Sequence, residues 1–288
     1  MPYYERRTKS GRLMEIDRYF ATRDGRRVSR SPNVEETDDN QQRLNDVQAA
    51  NRLRRLMLAN FDPEQGDMFV TLTMGRITDR EEAERAWRRW IAKVGRARER
   101  RQLPEAKWIK IPEQQSGRWH YHLIMSGGIT LDELQRMWGM GNRVHASVLD
   151  VSDNYRGLSR YLTQAEKHRR GCDSSENAKA AREKNKRRWS CSKNLAKPET
   201  TKRVIAERTV RQLPKAPKGY RLLPEWTVGT DKFGCPFMHC ECIIDSNAAA
   251  PKAPRKKQQE SGGRAGRGRG GPGAAAPGGS KGRALDPN

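Results

Sequence analysis

The stretch that decides the fold of this chain is Gly117-Arg118-Trp119-His120-Tyr121-His122-Leu123-Ile124-Met125. Successive side chains of a β-strand point to opposite faces of the sheet. Read as a strand, the stretch has four apolar or aromatic side chains on one face: Trp119, Tyr121, Leu123 and Met125. His120 and His122 share the other face, where two imidazoles are close enough to bind one divalent ion. The stretch therefore predicts a strand that packs against helices on one side and binds a metal on the other.

A second strand is predicted immediately before this one, over residues 107–113, and it ends at Glu113. Residues 114–117 separate the two strands, so we expect a four-residue hairpin loop that places Glu113 opposite Arg118. Glu113 then shares a face with His120 and lies diagonally next to it. Two imidazoles and one carboxylate form an open site that suits Mg²⁺ or Mn²⁺. The alternative is an ordinary edge strand in a basic protein, with no metal.

The elements around these two strands predict an α+β fold. They are a strand at 68–74, a helix that buries Trp87 and Trp90, a helix opened by Thr130 and Glu133, a strand within 142–150, and a helix from Ser152 or Asp153 to about residue 168. Thr78 with Glu81, or Asp79 with Glu82, has the spacing of a cap for the first helix. The order β-α-β-β-α-β is that of ferredoxin-like and RNA-recognition domains. We expect its helices to cover one face of the sheet.

The charge of the chain predicts a polyanionic partner. Its 288 residues include 58 Lys and Arg against 35 Asp and Glu, which gives a formal net charge of +23 and a pI near 10.3. Nucleic acid is the commonest polyanion, although charge alone does not separate DNA from RNA or from an anionic membrane. No run of about 18 apolar residues occurs, so we expect no membrane partner and a cytoplasmic protein.

The five cysteines, in a chain without an apolar segment after its start, argue against a disulfide framework. Cys235, His239, Cys240 and Cys242 cluster in the sequence, but the paired C-x-x-C pattern of structural zinc sites is absent. We interpret these cysteines as thiols on a late β-hairpin that spans residues 219–245 and turns at residues 231–234. A zinc site at this cluster is the alternative.

Composition divides the chain into four segments. They are a basic arm and helix at 1–60, the α+β domain at 61–170, a basic extension with the hairpin at 171–250, and a Gly/Arg-rich tail at 251–288. The tail has too few apolar residues to fold, so we expect it to be disordered and to contact DNA. In the extension, Arg187, Arg188 and Trp189 suit phosphate contacts and base stacking. The alternative is that Trp189 anchors a solvated helix to the core.

A tyrosine on the last predicted helix is a candidate nucleophile. Tyr161 lies at the edge of the apolar stripe of that helix, so its phenol can reach the metal site while its ring stays packed. Tyr155, six residues earlier, falls on a different face of the helix. The alternative is that Tyr161 is a packing residue at the boundary of the core.

Three motifs in this order resemble those of the HUH endonucleases, in particular the rolling-circle replication initiator (Rep) proteins of bacterial plasmids, phages and integrated elements. The motifs are Phe69-Val70-Thr71-Leu72-Thr73, His120-Tyr121-His122 with Glu113 ahead of it, and Tyr161-Leu162-Thr163-Gln164. The resemblance covers about residues 51–198. It departs at Gln164, where the family usually has lysine. Lys167 and Arg160 are the candidates to supply that charge, unless the charge is dispensable.

The resemblance implies a metal-dependent enzyme that nicks and joins single-stranded DNA at a specific site and initiates rolling-circle replication. It implies that Tyr161 forms a 5′-phosphotyrosine and that Glu113, His120 and His122 bind Mg²⁺ or Mn²⁺. The expected partners are single-stranded or cruciform origin DNA, a host DNA polymerase and a host helicase, because the chain has no G-x-x-x-x-G-K-[ST] motif of a fused helicase. The candidate DNA contacts are Arg160, Gln164, Lys167, Arg187, Arg188 and Trp189.

Two other classes of protein are alternatives. A mobilisation relaxase or a single-tyrosine transposase uses the same chemistry, but many relaxases place the tyrosine before the histidine motif, whereas here it follows. A noncatalytic RNA- or DNA-binding module shares the β-α-β-β-α-β order. Such a module needs aromatic residues on the exposed sheet face, where this chain has His120 and His122.

Overall fold

Two five-stranded antiparallel sheets and four helices form the fold, as the computed structural model describes it for residues 2–21, 39–75, 77–115, 118–139, 144–163, 188–231 and 233–245. The helices are α1 (Asp39–Leu58), α2 (Arg80–Arg100), α3 (Leu131–Trp138) and α4 (Arg156–Leu162). The strands are β1 (Tyr3–Ser10), β2 (Leu13–Phe20), β3 (Met68–Thr73), β4 (Trp108–Gln115), β5 (Arg118–Met125), β6 (Val144–Val148), β7 (Ser190–Cys191), β8 (Glu199–Ile205), β9 (Tyr220–Thr230) and β10 (Pro236–Ile244). All of them belong to one unit, Met1–Ala249. The second unit, Ala250–Asn288, which contains the predicted tail, lies outside the described residues.

The first sheet, which we call the central sheet, has the strand order β6-β3-β5-β4-β7. Helix α2 connects β3 to β4, and α3 connects β5 to β6, so each connection passes over one intervening strand. This is the split β-α-β arrangement of the ferredoxin-like fold, and the predicted α+β class is confirmed. The short strand β7 extends the sheet beyond β4.

Helices α2 and α3 cover one face of the central sheet. The side chains buried between them and the sheet include Tyr121, Leu123 and Met125 of β5 and Trp87 and Trp90 of α2. Trp90 is 1% exposed, and its indole Nε1 donates a hydrogen bond to the carbonyl of Leu134 at 3.2 Å. Because this buried polar group has a partner, the large ring is buried without a desolvation penalty for its N–H. The predicted apolar face of β5 is therefore the helix-packing face.

Both of these helices begin at predicted caps. Of the two alternatives for α2, Asp79 is the cap, and its carboxylate accepts a hydrogen bond from the Glu82 backbone N–H at 2.7 Å. At α3, Thr130 and Glu133 form the full reciprocal capping box. These side chains satisfy backbone N–H groups that the first turn of a helix leaves without intrahelical partners.

The opposite face of the central sheet is also covered in part, which the sequence analysis did not predict. Helices α1 and α4 pack there. The buried side chains of this second cluster include Leu13 of β2, Leu53 and Met57 of α1, Ile109 and Ile111 of β4, Ile124 of β5, Tyr155 and Leu162. The face that carries the histidines is thus apolar at Ile124, whereas His120 remains half-buried. The helices cover the apolar end because their own apolar stripes need a partner there.

The second sheet, which we call the terminal sheet, has the strand order β8-β1-β2-β10-β9. Within the segment 1–60, predicted as a basic arm and helix, residues 13–20 form strand β2. The predicted late hairpin is confirmed, and in its turn the carboxylate of Asp231 accepts from the N–H groups of Phe233 and Cys235 at 2.8 and 2.9 Å. Segments predicted as separate, 1–60 and 171–250, therefore contribute strands to the same sheet. The four segment boundaries stay a prediction.

The cysteines of β10 do not converge with His239. Cys240 and Cys242 are buried with Ile16 and Met238 in a small cluster of the terminal sheet. His239 instead contacts Asp17, with its Nδ1 2.7 Å from the carboxylate Oδ1. This arrangement fits the interpretation of these cysteines as hairpin thiols.

Buried ion pairs join the terminal sheet to α1. Arg54 contacts Glu241 through both terminal nitrogens, at 2.6 and 3.0 Å, and the two side chains are 4% and 5% exposed. Arg55 forms a second pair with Glu15. Burial opposes the ionisation of Glu241, but its hydrogen bonds with Arg54 and His239 outweigh burial and hold its pKa well below the usual range. Each buried carboxylate is therefore compensated by a guanidinium, as a charge in the interior requires.

His239 belongs to the same network. Its Nδ1 contacts Asp17, and its Nε2 lies 3.7 Å from Oε1 of Glu241. The hydrogen bond to Asp17, and then the nearby carboxylate of Glu241, raise the pKa of His239 from 6.5 to about 9. The imidazole is therefore a cation at neutral pH.

We expect the stability of the protein to fall as the pH rises from about 6.5 to about 9, the interval between the ordinary and the folded-state pKa of His239. A pKa raised by folding contributes stability that is fully present below the unfolded-state value and is lost as the pH passes the folded-state value. Below pH 6.5, His239→Gln should unfold at a lower temperature than the native protein, and above pH 9 the two should converge. Thermal unfolding across this range is the measurement, and parallel curves would contradict the assignment.

Candidate active site

Strands β4 and β5 continue to pair up to Gln115 and Arg118, so only residues 116 and 117 connect them. The predicted four-residue loop, with Glu113 opposite Arg118, is wrong: Glu113 lies directly opposite His120. The strands pair further toward the turn than the glutamines of 114 and 115 suggested. The register differs from the predicted one by two residues, and a shift of two residues keeps each side chain on its face. Glu113 therefore still shares a face with both histidines and is now diagonal to His122.

A direct contact joins two of the predicted metal ligands. Nε2 of His122 lies 2.6 Å from Oε2 of Glu113. The His122 side chain is nearly buried, and its ring stacks on Phe69 with the centroids 5.6 Å apart and the planes 13° apart. Strand β3 thus supplies a flat surface that holds the imidazole edge toward the carboxylate.

Two threonines of β3 contact the other nitrogen of each histidine. Thr71 pairs with His122 and Thr73 with His120 in the register of β3 and β5. The hydroxyl of Thr71 lies 3.2 Å from Nδ1 of His122, and that of Thr73 lies 3.4 Å from Nδ1 of His120. Metal-binding histidines usually hydrogen-bond through their second nitrogen, which fixes the tautomer and the ring orientation. In the sequence these threonines were identified only as part of a strand motif. The T-x-T pattern of that strand, set against H-x-H, could have indicated that they contact the histidines.

The chemistry of this donor set fits a divalent ion. Two imidazoles and a carboxylate lie on one sheet face, with Nδ1 of each imidazole against a hydroxyl and Nε2 of His122 against the Glu113 carboxylate. The donor atoms of Glu113, His120 and His122 do not all lie within 4.8 Å of one another. A second set of residues, Glu15, His239 and Glu241, does have its donor atoms within that distance. We nevertheless favour the first set. In the second set both carboxylates pair with arginines and the imidazole is protonated, which leaves little affinity for a cation.

Helix α4 brings one tyrosine to this site. The Tyr161 ring meets the His122 ring edge to face, with the centroids 6.0 Å apart, and the Tyr161 side chain is 54% exposed. Burial of part of the ring, and then the negative charge of Glu113, raise the pKa of the phenol above its usual value. The next residue, Leu162, is buried in the second cluster and anchors the helix. The ring of Tyr161 is therefore held beside the candidate ligands and remains accessible to a large substrate.

Tyr155 has a different environment. It is fully buried, and its hydroxyl donates a hydrogen bond to the Phe61 carbonyl at 3.1 Å. Burial raises the pKa of its phenol to about 12. A buried phenol with a structural hydrogen bond cannot reach a phosphate. The predicted start of the helix at Ser152 or Asp153 is wrong, because α4 begins at Arg156 and Tyr155 precedes it in a left-handed conformation. Burial of Tyr155, and not its place on another helix face, therefore distinguishes the two tyrosines.

The candidate DNA contacts have different environments. Arg160 is exposed, and its guanidinium makes no hydrogen bond or ion pair within the part of the chain that the structure describes. Arg188 pairs with Asp46, and Trp189 is half-buried against the second cluster, which favours the anchoring alternative for that tryptophan. Gln164, Lys167 and Arg187 lie outside the described residues, as does most of the basic run around them.

Residues 67–166 match the family model of replication-associated protein ORF2/G2P. This match indicates a replication initiator protein. The matched range contains β3 to β6 and all four candidate residues, Glu113, His120, His122 and Tyr161. A replication protein of this kind binds DNA, in agreement with the basic composition.

No curated protein and no solved structure matches the chain. Among the described helices, none has the length and apolar character needed to cross a membrane.

We expect Thr71→Val and Thr73→Val to weaken divalent metal binding by about 10- to 100-fold, because each removes the hydroxyl that orients a ligand imidazole. Valine keeps the shape and the strand preference of threonine. Calorimetric titration of the protein with Mn²⁺ is the measurement. Thr71→Ser and Thr73→Ser keep a hydroxyl and serve as matched controls that should bind almost as the native protein does. Equal affinity in the valine and serine variants would show that these hydroxyls have no such role.

Proposed function

We propose that the protein nicks and joins single-stranded DNA at a specific site through a 5′-phosphotyrosine intermediate, and so initiates rolling-circle replication. The observation that carries this proposal is the edge-to-face contact of the Tyr161 and His122 rings, beside the His122–Glu113 pair. An accessible phenol, two imidazoles and a carboxylate are the groups that such a reaction requires. The match of this region to a replication-associated family supports the same reaction.

In the proposed reaction, Glu113, His120 and His122 hold Mg²⁺ or Mn²⁺, which when bound acts as a Lewis acid on the scissile phosphate. The phenol oxygen of Tyr161 forms a bond to phosphorus, and the bond from phosphorus to the 3′-oxygen breaks. The phenol gives up its proton as it attacks. The electron pair of the broken bond stays with the 3′-oxygen, which takes up one proton and becomes a free hydroxyl, so one proton is lost and one is gained. The phosphotyrosine conserves the energy of the broken bond, so the reverse reaction joins the strand.

The surroundings of Tyr161 set the conditions for this step. Its raised pKa keeps the phenol neutral in the resting protein at neutral pH, so the proton must leave during the attack. A cation held by Glu113 would offset its negative charge, which is one of the two causes of the raised pKa of Tyr161. Phe69 and Thr71 fix the ring of His122, against which the phenol packs. The chain's own residues therefore position the nucleophile before DNA binds.

The proposed substrate is single-stranded DNA or an extruded cruciform at the replication origin, because the scissile phosphate must reach a phenol on a short helix at the sheet face. The free 3′-hydroxyl would prime a host DNA polymerase. A host helicase would unwind the duplex, because the chain has no phosphate-binding loop motif of its own.

We expect Tyr161→Phe to abolish a metal-dependent covalent adduct with DNA, because the variant keeps the ring that packs on His122 and lacks only the attacking oxygen. End-labelled single strands from both flanks of the gene, incubated with and without Mn²⁺, provide the substrates.

Tyr155→Phe is the matched control. It loses one buried hydrogen bond, worth about 1 kcal/mol of stability, and should still form the adduct. An adduct that persists in Tyr161→Phe would exclude this residue as the nucleophile. Specific DNA binding without any adduct in the native protein would instead favour a noncatalytic DNA-binding module.

A further inference from the structure

A cavity of about 860 Å³ lies between α1, α4 and the terminal sheet, and it extends to Arg160, the residue before the proposed nucleophile. Six arginines line it: Arg6, Arg52, Arg54, Arg55, Arg156 and Arg160. The carboxylates that line it number four: Glu15, Asp17, Glu225 and Glu241. The cationic His239 also lines the cavity. The lining is therefore positively charged overall.

The internal ion pairs leave specific cations available to a ligand. Glu241, Glu15 and Asp17 are paired with Arg54, Arg55 and Arg6, and Arg156 contacts both Glu225 and Glu241. Arg52 is exposed, and within the described residues it makes one hydrogen bond, to the side-chain oxygen of Gln48 at 3.3 Å. Arg52 and Arg160 are thus the surplus charges of the cavity, on α1 and α4. Guanidinium groups placed this way suit phosphate oxygens, which they bind by charge and by hydrogen bonds.

The terminal sheet continues this surface with aromatic rings. Tyr4 and Tyr19 are directly opposite each other on β1 and β2, with their ring centroids 6.3 Å apart, and both are partly exposed. The Lys202 ammonium lies 3.5 Å from the Tyr4 ring centroid, and the Arg6 guanidinium lies 5.5 Å from that of Tyr19. Arg6 also lines the cavity, so the aromatic pair adjoins it.

We propose that the arginine-lined cavity and the Tyr4–Tyr19 pair form one binding surface for the single-stranded DNA that flanks the scissile phosphate. This inference rests on the proposed function and deepens it by naming where the flanking strand lies. Arg160 and Arg52 contact phosphates next to the nick, and Tyr19 and Tyr4 stack with unpaired bases further along the strand. Cations that follow a backbone, combined with aromatic rings for bases, are the general means of binding single strands. Duplex DNA keeps its bases stacked on one another and cannot use the rings in this way.

Binding is measured by fluorescence anisotropy of labelled single-stranded oligonucleotides, with the full-length protein and a metal chelator present so that no cleavage takes place. Tyr4→Leu/Tyr19→Leu should weaken the affinity for a long oligonucleotide at least about tenfold, because two stacking surfaces are lost. Tyr4→Phe/Tyr19→Phe keeps the rings and should bind as the native protein does. Phe233→Leu, at an exposed ring in the β9–β10 turn, is a control for the loss of an aromatic side chain elsewhere.

The arginines are tested by the salt dependence of binding. Arg52→Gln/Arg160→Gln should reduce the slope of log affinity against log salt concentration by about 1.4, since each single-strand phosphate contact contributes about 0.7. The control, Arg88→Gln/Arg96→Gln, removes two exposed charges from α2, on the other side of the central sheet, and should leave the slope unchanged.

The proposal is overturned if the leucine variant binds with native affinity or if both arginine pairs change the slope equally. An equal loss of affinity for duplex DNA or for RNA of the same length would also overturn it, in favour of that nucleic acid. Thermal unfolding of each variant identifies any loss of affinity that is due to misfolding. If the leucine variant is misfolded, native affinity in Tyr4→Phe/Tyr19→Phe supports the proposal, and weakened affinity in that variant contradicts it. Because these measurements need no cleavage, their failure is distinct from that of the proposed function, which the Tyr161 adduct tests.

Discussion

The alternation of side chains along β5 is the constraint on which the rest of the structure depends. Tyr121, Leu123 and Met125 are buried under α2 and α3, and this burial places His120 and His122 on the other face of the sheet. A slip of one residue would expose the apolar set and bury the imidazoles under the helices, so the hydrophobic core holds the register of the site. The packing that stabilises the fold therefore also determines which side chains face the candidate active site.

The second face of the central sheet carries both packed side chains and the candidate active site. It is apolar at Ile124, where α1 and α4 bury their own apolar side chains, and polar at His120. Leu162 is part of the packed region, whereas the ring of its neighbour, Tyr161, lies beside His122 and stays accessible. The proposed nucleophile is thus carried by an element that the core anchors. Such an arrangement keeps the candidate site rigid while Tyr161 stays accessible.

The terminal sheet extends the protein beyond the ferredoxin-like domain, and buried charge attaches it. Arg54 of α1 binds Glu241 of β10, and Arg55 binds Glu15 of β2. Buried ion pairs contribute little net stability, but they require one geometry in which each charge is compensated. They bring the carboxylates of the sheet against the arginines of α1, and Arg156 of α4 makes a further pair with Glu241. The match to a replication-associated family indicates replication initiation for the region with the histidines. The terminal sheet, α1 and α4 together line a cavity in which the cationic side chains outnumber the carboxylates.

Local patterns in the sequence predicted the order of elements, the caps of α2 and α3, the late hairpin and the two faces of β5, because each depends on residues close together in the chain. The order of the motifs also led to the hypothesis that Tyr161, His122 and Glu113 belong to one site. The pairing of Glu113 with His120, the threonines behind the imidazoles and the burial of Tyr155 follow from contacts between distant residues. So does the joining of β1 and β2 with β8, β9 and β10 in one sheet. Those contacts depend on which surfaces remain to be buried once the local elements exist, and only the tertiary structure decides that.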